Sequence, residues 1–501
     1  MNHQDKTENT VGGYLTMPVC RKTMSTEVSG DYILPDYQPE LRRLLSVSGK
    51  AMPPAKYVGG GNVELDGTVE YQILYVGADG GLYSAPLSGE YNLRVPMENL
   101  SALDLNEGVC VLASCVPESM TARVTAPRKL TLRCRMKCTI GAYGKMPIGE
   151  RLIGDAAKEG LCRLRESVQS ASLMSCRSEA VSLFEEFSLP FADARVVCAD
   201  AGTLIDEVSV GKSETTVRGE VILKLLFASE DGMMVSESKK LPFEGTMECD
   251  ELTGEDICAS VRGCVSDLAV RVEENKAMCD VQLILDGHMG GNEWVSYTAD
   301  LYSTERACQT RYATHEVPMF LHAMTANLSQ SERMSAAEKG IPQGATVIDV
   351  QGQATADSCE QQDGHTIIKG QGRYVFICQK DGEYSAVELT LPWRYECEGG
   401  VMALASYDVC AEVVSCRGRV SGDVLELDAE LCVAGDWMGV QTIRTLESAE
   451  FADEKKKKSG DTVLCYPAPD DTLWNVAKKY MVAPEEIEGD PTVDPYLLIR
   501  E

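Results

Sequence analysis

Three short passages of this 501-residue chain are built to one pattern, and that pattern restricts what the chain can fold into. LDGTVEYQILYVGADGG (65–81), VRGEVILKLLFASEDGM (217–233) and IKGQGRYVFICQKDGE (368–383) each set a Gly ahead of an apolar run closed by Asp-Gly. The glycines are Gly67, Gly219 and Gly370, and the closing pairs are Asp79-Gly80, Asp231-Gly232 and Asp381-Gly382. Asp-Gly after an apolar run is a hairpin signal, because the tight turns that match strand twist need positive φ. An aromatic residue follows each first Gly at a matching distance: Tyr91, Phe243 and Trp393. Upstream, residues 32–49, 187–202 and 339–352 share an apolar-Pro entrance and an apolar stretch ending in Gly. Downstream, 120–140, 264–286 and 409–434 alternate apolar and polar residues, the period of a half-buried strand. The interval of about 152 residues is that of a whole domain. The expectation is a mainly β fold of three tandem β-sandwich-like repeat domains, each of five to seven strands.

Composition narrows the partners. The formal net charge is −30, a surface that repels a phosphate backbone, so neither nucleic acid nor anionic lipid is expected as a partner. Residues 1–14 hold no apolar run that would serve in a signal peptide, and no stretch approaches the ~18 apolar residues of a transmembrane segment. A cytoplasmic location is therefore expected. Twenty cysteines are too few for a disulfide scaffold, contain no CxxC, and meet only five His, none clustered with Cys. In LTLRCRMKCTI (130–140), Cys134 and Cys138 fall on the apolar side of the alternation, so they are read as small buried hydrophobes in a reducing compartment. No metal site and no cofactor is predicted. Enzyme motifs are absent too: there is no GxSxG, HExxH, P-loop or dinucleotide fingerprint.

The expected divisions are an N-terminal segment (1–24), a first β-domain (25–148), a bridging segment with a second β-domain (149–298) and a bridging segment with a third (299–445). A Lys-rich linker (446–462) and a small terminal module (463–501) complete them. The bridges, 149–183 and 299–338, carry polar, partly helical patterning and would link domains or add a crossover strand. SAEFADEKKKKSGDT (448–462) reads as a solvated spacer.

In the terminal module, VLCY suggests a strand and Thr472 stands at a helix N-cap position. Leu473, Val476, Ala477 and Tyr480 form one apolar stripe, Lys478 and Lys479 sit in the last turn, and Pro484 opens a second helix. YLLI (496–499) offers a closing strand, for a β-α-α-β order. DDTLWNVAKKYMVAPEEI resembles a LysM domain, whose usual core reads Gly-Asp-Thr-Leu-Trp, then Ile-Ala, then Lys-Tyr. LysM domains commonly bind N-acetylglucosamine polymers, which carried over would engage Asp471, Thr472, Leu473 and residues near 488–497. This copy departs from the pattern: Asp470 replaces the Gly, and Gly489-Asp490 stand where an Asn is usual. Three Lys/Arg against eight Asp/Glu make the module acidic.

Together with the three upstream copies, the order resembles the SipL-like family of spore-coat morphogenetic proteins, with three SPOCS repeats and a C-terminal LysM domain. That resemblance implies a non-enzymatic scaffold for spore coat assembly in the mother cell, at the forespore surface. Its LysM domain would dock to a coat morphogenetic ATPase (SpoIVA-like). The residues expected to bind that partner are Asp471, Thr472, Leu473, Trp474, Lys478, Lys479, Tyr480, Val482 and Ile487. Sheet edges of the β-domains also offer self-association. The alternative expectation is a peptidoglycan- or N-acetylglucosamine-binding protein of the spore cortex or cell wall.

Overall fold

The computed structural model describes residues 10–153, 160–211, 213–249, 252, 254–398, 404–456 and 460–500. It is mainly β, with 78% strand and 4% helix. The first seven strands are β1 (Thr10–Ile33), β2 (Leu41–Ala51), β3 (Ala55–Gly59), β4 (Asn62–Gly77), β5 (Leu82–Pro96), β6 (Val109–Ala126) and β7 (Lys129–Ile153). β7 pairs antiparallel with β1 and β6, while β4 pairs with β2, β3 and β5. One core fills the space between the two sheets, with Val63, Leu65, Tyr71 and Tyr75 of β4 clustered with Leu130, Leu132, Cys134 and Met136 of β7. The alternation read in 130–140 is the observed burial: Leu130, Leu132, Cys134, Met136, Cys138 and Ile140 are buried, and Arg133 and Arg135 are exposed.

The next strands are β8 (Leu161–Arg177), β9 (Val181–Ser188), β10 (Arg195–Val210), β11 (Glu214–Ala228), β12 (Met234–Glu248), β13 (Glu255–Glu273) and β14 (Lys276–Ser303). They form a β13-β14-β8 sheet with β9 on β14, and a β10-β11-β12 sheet, around a second core. Then come β15 (Arg306–Ser335), β16 (Thr346–Gln362), β17 (His365–Lys380), β18 (Glu383–Glu398), β19 (Leu404–Ser421) and β20 (Val424–Lys455). β20 pairs with β15 and β19, β17 with β16 and β18, and a third core joins them.

Among the described residues, the bridging segments are largely strand rather than partial helices. β8 and β15 each close one side of a sheet, and residues 306–316 of β15 alternate half-buried and exposed positions. A strand with one face toward solvent carries as many polar residues as a surface helix, which is why the composition misled. The expected linker is also partly strand: β20 continues to Lys455, with Arg306 opposite Lys455. Lys457 and Lys458 of the lysine run, and residues 1–9 of the N-terminal segment, lie outside the described residues.

Each glycine of the repeated pattern lies directly opposite the aromatic residue that follows it: Gly67 opposite Tyr91, Gly219 opposite Phe243, Gly370 opposite Trp393. A Cβ on Gly67 would stand 2.3 Å from the Tyr91 ring, and one on Gly370 2.4 Å from the Trp393 ring. At Gly67 and Gly370 the glycine leaves room for the ring to fold back over its own sheet, whereas a Cβ on Gly219 would instead meet the Leu204 carbonyl at 2.0 Å. The Asp-Gly turns differ in size. Asp381 and Gly382 both have positive φ (51° and 79°) and join paired Lys380 and Glu383, a two-residue turn. In the other two hairpins only the glycine is positive, and a Gly77–Gly81 or Ser229–Met233 hydrogen-bonded loop makes the connection.

The strands are long because they serve two cores. β7, β14 and β20 pack their first halves inside their own sandwich and send Ile148, Val295 and Ile443 into a cluster shared with Leu15, Val168 and Val317. The hairpin ends converge likewise: Leu74, Val76 and Leu82 meet Val197, Leu226 and Ala228, and Val375, Ile377 and Tyr384. Polar contacts also cross here. Lys224 pairs with Asp349 at 2.7 Å, and the Arg195 guanidinium lies 4.2 Å from the centre of the Tyr83 ring. Finally β7 and β20 pair in parallel over Arg151–Ile153 and Ser448–Glu450, making one six-stranded sheet from the first and last groups.

None of the twenty cysteines forms a disulfide, and thirteen are buried, as expected of small hydrophobes. No helix of the described residues is long and apolar enough to cross a membrane.

Candidate functional site in the C-terminal module

The module consists of β21 (Thr462–Cys465), α1 (Leu473–Tyr480), a 3-10 turn at Pro484–Glu486, β22 (Ile487–Glu488) and β23 (Leu497–Arg500). The expected second helix is only that turn: Glu486 Oε2 accepts from the Ala483 amide at 2.9 Å, and Ile487 immediately enters a strand. Thr472 caps α1, accepting from the Asn475 amide at 3.2 Å. Cys465, Val476, Ala477, Val482, Ile487, Leu497 and Ile499 make the core. Val482 and Ile487, expected on a partner surface, are therefore inside it, at 1% and 8% exposure. They pack there with Leu497 and Ile499 of the closing strand.

Trp474 and Lys478 point to the β-body. The Trp474 indole donates to Asp300 Oδ2 at 2.8 Å, and Lys478 Nζ reaches both carboxylate oxygens at 2.7 and 2.8 Å. Tyr312 donates to the same carboxylate. Tyr302 packs edge-on to Trp474 with ring centres 4.9 Å apart, and its hydroxyl donates to the Val482 carbonyl at 2.7 Å. Burial raises the Asp300 pKa, but hydrogen bonds from Lys478, Trp474 and Tyr312 outweigh it and hold the carboxyl below its ordinary range. Burial likewise opposes the Lys478 charge, and Asp300 beside it raises that pKa instead.

Of the remaining expected residues, Asp471 accepts from the Ala468 amide, Leu473 packs at the edge of the core, and Lys479 is exposed 5.7 Å from the centre of the Tyr480 ring. The Tyr480 carbonyl accepts from Lys456. The residues of the module that stand exposed are instead Leu464, Tyr466, Val493 and Tyr496, at 47%, 72%, 78% and 49% exposure. Asp300, Tyr302 and Tyr312 belong to no motif and lie more than 160 residues from their partners in α1; nothing in local spacing announces them. The sequence reading puts Tyr466 and Tyr496 inside the strands VLCY and YLLI; in the structure each lies one residue outside its strand and is exposed.

The body has its own cavity of about 370 Å³, lined by Lys50, Arg262, Asp200 and Glu412 among others. Its charges are engaged between sheets: Lys50 donates to the Ala201 carbonyl at 3.2 Å, and although burial opposes its charge, Asp200 and other neighbours raise its pKa. The chain matches no protein-family model, no curated protein and no solved structure.

Proposed function

We propose that this chain is a non-enzymatic scaffold of the SipL-like kind, with three tandem β-repeats carrying a LysM-like docking module. The recurrent strand order around a Gly–aromatic pair supports the repeat reading. In this reading the chain acts in spore coat assembly, at the forespore surface of the mother cell, and its module holds a coat morphogenetic ATPase. The observation that carries the docking role is that the module is fixed through one helix face while other apolar and aromatic side chains of it stay exposed. Asp300 and Tyr302 clasp the Trp474–Lys478 face, while Leu464, Tyr466, Val493 and Tyr496 stay open to solvent. A fixed module with exposed aromatic anchors is suited to binding a protein surface.

The test compares full-length chain, a variant lacking 463–501, and Tyr466→Ser/Tyr496→Ser in pull-downs from sporulating cells, beside a chitooligomer binding assay. Loss of a coat ATPase in both variants is the expected outcome. Chitooligomer binding with no protein captured would overturn the proposal in favour of glycan binding.

A further inference from the structure

The cavity of about 370 Å³ in the β-body is of the size that holds a small ligand. It lies where the Gly-terminated stretches of the three repeats meet. Gly49 and Lys50 of β2, Asp200 and Ala201 of β10, and Gly352 and Gln353 of β16 all line it. The walls recur but their charges do not. The first stretch brings a cation, the second an anion and the third a neutral amide, while β13 and β19 add Arg262 and Glu412. A few polar groups placed so unevenly in a repeated wall select one asymmetric occupant in one orientation.

The charges act on one another across the cavity rather than by contact. Burial pushes the Glu412 pKa up, and Lys50 and Arg262 pull it down. Yet among the described residues neither Glu412 nor Arg262 makes a side-chain hydrogen bond or an ion pair. Both are half-buried, where a charge without a partner is costly. Lys50 gives one of its three donors to the Ala201 carbonyl and touches no carboxylate. In the same wall the Thr203 hydroxyl, on a residue 4% exposed, is buried with no hydrogen-bond partner. Val265, Leu268 and Val413 give the cavity an apolar side.

The charge of the occupant follows from these walls. A simple anion would meet the carboxylates of Glu70, Asp200 and Glu412, and a simple cation would meet Lys50 and Arg262. A molecule carrying both charges satisfies both sets. We propose that the cavity binds one small zwitterion of the amino-acid class, as a free amino acid or a dipeptide. Its carboxylate lies toward Lys50, Arg262 and Thr203, its ammonium toward Glu412 and Asp200, and an aliphatic side chain rests on the apolar side. Asp200 is exposed and marks the mouth, so the ligand enters from solvent. Because all three repeats supply walls, the bound ligand holds them together. The site is independent of the docking role.

The experiment uses the reduced full-length chain. Its melting temperature is followed with each of the common amino acids and with Leu-Ala, Ala-Leu and Leu-Leu, and every ligand that raises it is titrated by calorimetry. The expected result is saturable binding of one equivalent, weakened roughly 10-fold or more when the same ligand is N-acetylated or amidated. Glu412→Gln and Lys50→Met weaken the parent ligand by a similar factor, and Asp200→Asn at the mouth serves where either fails to fold. Binding of amino acids assigns the free form, and binding of the dipeptides alone assigns the peptide. No binding by any member of either set overturns the proposal. Equal affinity for the N-acetylated and amidated forms also overturns it, leaving an apolar pocket with hydrated charges. Undiminished affinity in every folded variant overturns it as well, placing the ligand elsewhere on the chain.

Discussion

Asp300 gathers three side-chain donors, from Trp474, Lys478 and Tyr312, onto one carboxylate, and its removal has a distinct signature. In Asp300→Asn the Lys478 ammonium loses its counter-charge and Trp474 shares a weaker acceptor. The expected outcome is faster amide exchange across α1, with the melting of the β-body unchanged. The pH dependence follows from the same group. Its folded pKa lies below the unfolded value, so its contribution is complete above the ordinary carboxylate range, about 3.9, and is lost as pH falls through the folded value. Protection of the α1 amides, taken relative to their intrinsic exchange rates, should therefore hold from neutral pH down to about 3.9 and fall only below it. An Asp300→Asn chain should show no such acid step.

The Gly–aromatic pair is a feature of the hairpin as an element. Gly370→Ala would put a Cβ 2.4 Å from the Trp393 ring and 2.0 Å from the Thr355 carbonyl. Backbone cannot yield as a side chain can, so a loss of ~1–3 kcal/mol is expected in denaturant unfolding. Gly382→Ala meets no atom within 4 Å but sits at φ 79°, so its cost is purely conformational and smaller. These elements were readable because hairpins declare themselves locally: an apolar run, a turn that needs Asp-Gly, and a period of two. What was not readable lies across the sheets. β8 and β15 looked partly helical because polar outer faces have similar composition in either structure. The start of the linker, expected at 446, was misplaced because strand β20 is extended to Lys455 by a partner, β15, whose pairing sequence alone does not reveal. In the module, the stripe of Leu473, Val476, Ala477 and Tyr480 located the helix, but the faces of Trp474 and Lys478 were decided by Asp300.

At the scale of the whole molecule, the groups of strands are joined by apolar clusters and by a few buried charge pairs. Lys224 and Asp349 are the clearest case, with side chains 19% and 4% exposed. Lys224→Ala leaves the carboxylate buried alone, so a loss of about 3–5 kcal/mol is expected. Lys224→Met with Asp349→Leu removes both charges and should recover most of that loss in the same unfolding experiment. Recovery would locate the destabilisation in the stranded charge rather than in lost packing.

The parallel contact of β7 with β20 also sets an order of events during synthesis. Arg151–Ile153 is made nearly 300 residues before Ser448–Glu450. At about 5–20 residues per second the ribosome takes roughly 15–60 s to supply the partner. Through that interval the nascent first sandwich carries an open strand edge and part of an unfilled apolar cluster. A chaperone or a slow codon tract acting in that window would govern yield, whereas one acting after residue 450 would come too late. Chains terminated before Ser448 never close that edge, and should aggregate even though their first two cores are complete.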